Sequence, residues 1–439
     1  MNENEINQVP GDNAQQPEKK PSTDKRSPME IAIAVVAVVL IVAALAAMVI
    51  SGVGSSADPT EPGETVAGTI PSDGNPGDVT CKGSYTVSDE EAIAQASKVV
   101  ATMGDQQLTN ADLQIYYWMQ VVSFLNEYGN YAASLGLDYT QPLDTQMMDE
   151  ELTWQQYFLS CAVEAWTAYE SLSQEAIAAG FDQSSADYQT YIATLRDEVT
   201  AGAIASGYES LEDMMTKFVG VGSNEEAYFR YQQNYYLGYL YFNDLYEQMI
   251  PTDEQVTAYF EANADAYAEN DVTRDSGNYI DVRHILIMPT GGTTVDGTTT
   301  YSEEEWEAAR VEAQTILDNW LAGEATEETF ADLANVNSDD SDGTDGGLYT
   351  YVYEGQMVPE FDAWCFDPAR QVGDYGMVKT QFGYHVMYFS GSHPIWFVTA
   401  QADLESEIAA GIVPSVTEKY EITVDYESMV LGNVDLTAQ

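Results

Sequence analysis

Two of the three histidines in this 439-residue chain, His284 and His385, stand about a hundred residues apart at the ends of a series of short blocks. The order and spacing of those blocks leave few folds open. His284 sits in the strand-like run Val282-Arg283-His284-Ile285-Leu286-Ile287. His385 lies near the end of Val378-Lys379-Thr380-Gln381-Phe382-Gly383-Tyr384-His385-Val386-Met387. Between them come Phe330-Ala331-Asp332-Leu333-Ala334, Ser338-Asp339-Asp340, Gly346-Gly347-Leu348, and Gly355-Gln356-Met357-Val358-Pro359-Glu360-Phe361.

Over roughly residues 278–391 these six blocks resemble a parvulin-type peptidyl-prolyl cis/trans isomerase domain. The resemblance implies that Met357 and Phe361 form an apolar slot for a proline ring, with Leu348 and Phe382 beside them. It implies that His284 and His385 pair on adjacent strands beneath the slot. Thr380 joins their hydrogen-bond network, and Asp340 takes the polar position near the substrate carbonyl. A lone methionine, phenylalanine or strand histidine is ordinarily structural; the shared register of all eight residues is what favours a site. No metal and no cofactor is implied. The run Asp339 to Asp345 departs from a calcium loop, with Tyr351 where the closing glutamate would fall. Phosphate-directed parvulins carry a basic cluster after the first strand, whereas Met288 to Tyr301 is Gly/Thr-rich and holds no Lys or Arg. A phosphorylated residue before proline is therefore not required.

The charge balance, 15 Lys+Arg against 72 Asp+Glu, excludes nucleic acid as a partner, because too few cations are present to neutralise phosphates. It equally disfavours resting on an anionic lipid surface. Three scattered cysteines make neither a disulfide framework nor a zinc site. Cys161 and Cys365 read as small apolar side chains, and Cys81 falls in a polar linker.

Ile31 to Ile50 form twenty uncharged, almost wholly apolar positions, long enough to cross a bilayer. Lys19, Lys20, Lys25 and Arg26 precede them and the next basic residue is Lys82, which orients the N-terminus to the cytoplasm. Ala44-Leu45-Ala46 offers a competing cleavage pattern, but the apolar run is longer than a signal peptide requires. The expected organisation is therefore a cytoplasmic tail (1–28), a signal anchor (29–51), a flexible linker (52–84) and a helical domain (85–275). An inserted isomerase domain (276–392) and a returning C-terminal segment (393–439) follow.

Helical runs are expected over about 153–179, 185–205 and 224–250, with Thr109 capping a helix and Thr252-x-x-Gln255 forming a capping box. Ala402 to Ala410 reads as helix and Tyr420 to Val424 as strand. This segment order resembles the SurA-like chaperone region of PrsA-type foldases. The fold class is accordingly α+β: one transmembrane helix, a mainly helical chaperone domain and an inserted parvulin domain. Tyr228, Tyr231, Tyr235, Tyr239, Phe242 and Tyr246 share a helical face, read first as packing and second as a cradle for clients. The resemblance implies a membrane-anchored foldase acting on exported, partly folded proteins that contain X-Pro bonds; a homodimer is left open. The rivals are a holdase with an inactive isomerase module and a surface receptor or adhesin.

Overall fold

The computed structural model describes residues 82–434 except 182, 296–297 and 341–344. The expected span Ile31–Ile50, its basic flank, most of the linker and Cys81 lie outside the described residues. Among the described residues no helix is long and apolar enough to cross a membrane. Within the described residues the fold mixes helix and sheet in two compact units, residues 82–248 with 409–434 and residues 249–408.

In chain order the elements that matter are α1 (Asp89–Gln95), β1 (Val99–Met103), β2 (Gln106–Thr109), α2 (Asn110–Tyr128), α3 (Trp154–Ala178), α4 (Ala186–Ala205), α5 (Leu211–Phe218) and α6 (Glu225–Met249). They continue as α7 (Asp253–Ala262), α8 (Ala264–Glu269), β3 (Asn278–Ile287), β4 (Thr293–Val295), β5 (Thr298–Thr300), α9 (Glu303–Ala322) and α10 (Glu327–Asn337). The last are β6 (Leu348–Val352), α11 (Pro359–Cys365), β7 (Tyr375–Lys379), β8 (Tyr384–Pro394), α12 (Ile395–Thr417) and β9 (Ile422–Val424).

The first unit builds its core on α2 and α3. The Thr109 side chain caps α2 through the Asp112 amide, and Thr153 and Gln156 form a capping box for α3. Tyr116, Trp166, Phe158 and Leu113 are fully buried between these helices and their neighbours. The C-terminal segment closes the unit: β9 pairs antiparallel with β1, on the side away from β2. Two buried amides hold the following residues. Asn110 accepts from the Val430 amide at 3.0 Å, and Gln114 accepts from the Gly432 amide at 2.8 Å. The tyrosine face of α6 is largely consumed by packing. Tyr228, Tyr231 and Tyr235 are buried, and Phe242 and Tyr246 pack with Ile412 and Val416. Cys161 is half-buried rather than fully buried, and burial pushes its thiol up to about 11.

The second unit is organised by an antiparallel sheet in the order β6-β3-β8-β7. Alternation along β3 and β8 divides its residues between two cores. Ile285, Ile287, Val386 and Tyr388 pack with Ala313, Leu317 and Trp320 of α9 and Phe330 of α10. Val282, Met387 and Phe389 pack on the other face with Phe361 and Cys365 of α11. A third cluster joins Val256, Phe260 and Tyr267 to Trp396, Phe397 and Ala400 of α12. Both sheet cores lie wholly between residues 280 and 389. A fragment of 276–392 is therefore expected to unfold cooperatively by itself, and one of 249–408 to be more stable because it adds the third cluster. Denaturant unfolding of the two fragments tests this; a non-cooperative transition for 249–408 would sink it.

Candidate active site

The register of the sheet gathers residues from four segments onto one face. His284 stands opposite Met387 and His385 opposite Leu286, so the two histidines are diagonal neighbours. Val378 stands opposite His385, which places Thr380, two residues on, diagonal to that ring. Tyr349 of β6 stands opposite Val282 and is diagonal to His284 on the other side. The four side chains thus form a row across β6, β3, β8 and the end of β7.

Two glycines permit the close approaches at its edges. Gly347 has φ +66°, and a Cβ there would come within 2.2 Å of the His284 carbonyl oxygen. At Gly383 a Cβ would come within 2.3 Å of the Ile287 carbonyl oxygen. Beyond Gly347 the loop 338–340 takes over as partner of β3. The Leu286 amide donates to Ser338 Oγ at 3.1 Å, the Asp339 amide to the Leu286 carbonyl at 2.8 Å, and the Met288 amide to Asp339 Oδ2 at 2.8 Å. That stitching carries Asp340 to the histidines.

The polar atoms form one continuous chain. Asp340 Oδ2 lies 3.2 Å from His284 Nε2 and accepts from the Tyr349 hydroxyl at 3.0 Å. His284 Nδ1 and His385 Nδ1 are 3.1 Å apart. His385 Nε2 is 2.9 Å from Thr380 Oγ1, which accepts from the Phe382 amide at 3.1 Å. A carboxylate only accepts, so Nε2 of a neutral His284 carries the proton and its Nδ1 accepts. His385 then donates from Nδ1 and accepts at Nε2 from the Thr380 hydroxyl. Every link is satisfied with both rings neutral. Burial first, then the neighbouring His284, pushes His385 down to about 3, against an opposing pull from Asp340.

Aromatic rings frame the row. Tyr349 stacks on His284 at 4.9 Å, and Phe361 meets His284 and His385 edge-on at 5.3 and 5.4 Å. Phe361 is only 3% exposed, so its ring serves the core as much as any slot. Met357 is half-buried beside it, and Phe382 is 51% exposed. Leu348 is not brought to this face. It stands opposite Arg283, on the other side of the sheet, and Tyr349 occupies the position beside His284. The sequence reading missed Tyr349; a register shift in the pairing of β3 with β6 between Ile280 and Val282 decides which of the two adjacent residues faces the histidines. Cys365 is buried and its thiol pushed up to about 12, chiefly by burial, so it is no nucleophile. Residues 341–344 of the acidic run lie outside the described residues. Among the described residues no group of three or more His, Cys, Asp or Glu is placed to hold a metal.

A site with a buried, neutral His385, an apolar frame and no activated nucleophile suits a reaction in which a bond turns rather than breaks. Residues 268–391 match the family model of the PPIC-type PPIase domain. The chain therefore carries a peptidyl-prolyl cis/trans isomerase domain of the parvulin type. No curated protein matches the chain. Among solved structures it is similar to PrsA from Bacillus subtilis, with 20% identity, 61% of this chain and 87% of that one covered, and a TM-score of 0.26. It is also similar to the SurA-like chaperones PEB4 and Cj1289 of Campylobacter jejuni, with 17% identity, 67% and 88% coverage and a TM-score of 0.20. The peptidyl-prolyl isomerase ESS1 from Candida albicans shares 25% identity over 30% of this chain and 74% of that one, with a TM-score of 0.21. The family match, not these structural likenesses, carries the assignment.

Proposed function

We propose that the chain is a membrane-anchored extracytoplasmic foldase that isomerises X-Pro bonds in exported, partly folded proteins and holds them on its helical unit. The observation that carries the catalytic part is the continuous chain Tyr349–Asp340–His284–His385–Thr380 beneath Phe361 and Met357. The apolar run Ile31–Ile50 behind a basic flank supports the anchor.

Rotation about an X-Pro bond is slow because it breaks amide resonance, at a cost of about 18–20 kcal/mol. Only contacts stronger in the twisted state than in the planar ones accelerate it. In this reading Met357, Phe361 and Phe382 hold the proline ring while Asp340, at the accessible end of the polar chain, lies near the carbonyl as it swings. His284, His385, Thr380 and Tyr349 fix the orientation of Asp340 through the hydrogen-bond chain. A holdase with an idle isomerase module remains the rival, separated by a protease-coupled assay on a proline tetrapeptide. A rate no higher than the uncatalysed one would favour the rival.

Asp340 supplies a sharper test. Asp340→Asn retains an acceptor oxygen, whereas Asp340→Ala removes the oxygen to which the Tyr349 hydroxyl and the His284 Nε2–H donate, costing about 1–3 kcal/mol of stability as well. Both variants are expected to lose about tenfold or more in kcat/KM, with Asp340→Asn the closer to wild type in Tm. A folded Asp340→Asn with unchanged kcat/KM would remove Asp340 from the site. Substrate choice follows from charge. Met288 to Tyr301 hold no cation, and Arg283 is occupied by Glu327 at 2.9 Å and by the Asp345 and Gly346 carbonyls. Ala-Pro and Lys-Pro peptides are expected to turn over faster than phosphoserine-Pro, and a clear advantage for the phosphopeptide would contradict this.

A further inference from the structure

The helical unit contains a cavity of about 510 Å³ that has no part in the isomerase site. Tyr117 and Trp118 of α2, Leu143 and Val434 give it aromatic and aliphatic walls, and Asp144 is the sole charged residue lining it. Asp144 accepts from the Ser84 hydroxyl through Oδ2 at 2.5 Å, and Oδ1 receives no hydrogen bond from a described residue. Tyr117 is 2% exposed, and its hydroxyl has no hydrogen-bond partner among the described residues. Burial and then the Asp144 charge hold that phenol well above its ordinary range, so it stays a protonated donor. Trp118 is also buried, with its indole Nε1–H unpartnered among the described residues. Lys82, near Ser84 in sequence, is already engaged by the Met429 carbonyl at 2.9 Å and lies over the Tyr85 ring.

A carboxylate with a free oxygen between aromatic walls complements a cation on an apolar stem. The unpartnered phenol calls for an acceptor, which a peptide carbonyl supplies. The chain as a whole, with 72 acidic residues against 15 basic ones, favours a ligand of positive charge. We propose that this cavity binds a lysine or arginine side chain of an unfolded polypeptide. The cation meets Asp144, the stem lies against Tyr117 and Trp118, and a peptide carbonyl accepts from the Tyr117 hydroxyl. The inference rests on the helical unit alone and does not depend on the isomerase reading.

The test uses the full chain and a labelled, unstructured peptide carrying one arginine, beside the same peptide with neutral citrulline in its place. Fluorescence anisotropy is expected to show about tenfold tighter binding of the arginine peptide, as a charge-assisted contact requires. Asp144→Asn keeps a partner for Ser84 and removes one of 72 acidic residues, so diffuse attraction hardly changes. It is expected to bring the two peptides within about twofold of each other. Equal binding of both peptides to the wild type overturns the proposal, as does an Asp144→Asn variant that still prefers arginine. Should Asp144→Asn fail to fold, Tyr117→Phe decides: both peptides are expected to weaken several-fold, and unchanged affinity overturns the assignment.

Discussion

Replacing Phe361 by alanine is expected to remove about 3–5 kcal/mol of stability from the isomerase unit and most of its activity together. The ring is 3% exposed and packs with Cys365, Val378 and Met387 while meeting both histidine rings edge-on. Truncation opens a cavity under the polar row and frees both imidazoles to tilt. On the proposed reading, activity falls for two reasons, lost contact with the proline ring and a disordered floor. In a folded sample kcat/KM is expected to drop roughly 10–200-fold, the scale of truncating an apolar substrate pocket. Denaturant unfolding and the protease-coupled assay, run on the same preparation, separate the two effects. Met357 and Phe382 are the cleaner probes of binding, because one is half-buried and the other exposed. Phe361→Ala with wild-type stability would show that the ring is not core, and wild-type kcat/KM would place the site elsewhere.

The sequence carried the site as far as periodicity and spacing reach. Periodicity marks a strand-like run around each histidine; that His284 and His385 lie on neighbouring strands comes from the resemblance to the parvulin family, and β8 does return antiparallel along β3. Helix limits were legible to within one or two residues, as in α3 at Trp154–Ala178 against an expected 153–179, the difference being one capping residue at each end, Thr153 and Ala179. The helix expected at Ala402 to Ala410 is longer, Ile395–Thr417. Trp396 and Phe397 at its start and Pro414 near its end do not look helical locally, and packing in two different clusters overrides that. What a sequence conceals is register. An irregularity between Ile280 and Val282 puts Tyr349 where Leu348 was expected, and nothing near either residue announces it. The approach of Asp340 to His284 depends likewise on Ser338 and Asp339 bonding to a strand some fifty residues earlier.

Acid is expected to destabilise the isomerase unit through His385 in particular. The ring is buried, and its folded-state pKa is pushed down to about 3 by burial and by His284. Unfolding restores an ordinary value near 6.5. Between those two values the unfolded state binds a proton that the folded state does not, so stability rises with pH there and falls as the solution is acidified. The contribution is fully present above about pH 6.5 and is lost at about 1.4 kcal/mol per unit below it, or about 2 kcal/mol by pH 5. The many carboxylates of this chain titrate in the same range, and protonating them relieves mutual repulsion, so the raw profile mixes opposing slopes. His385→Gln isolates the histidine, because the other groups cancel in the difference between the two proteins. Amide exchange at Ile285 and Val386, which are core residues of β3 and β8, reports the local free energy in both. The stability advantage of the wild type is expected to shrink steadily from pH 7 to pH 5. A constant difference across that range would mean that His385 gains its proton as readily folded as unfolded. The neutral, directional hydrogen-bond chain from Thr380 to Asp340 would then have to be abandoned.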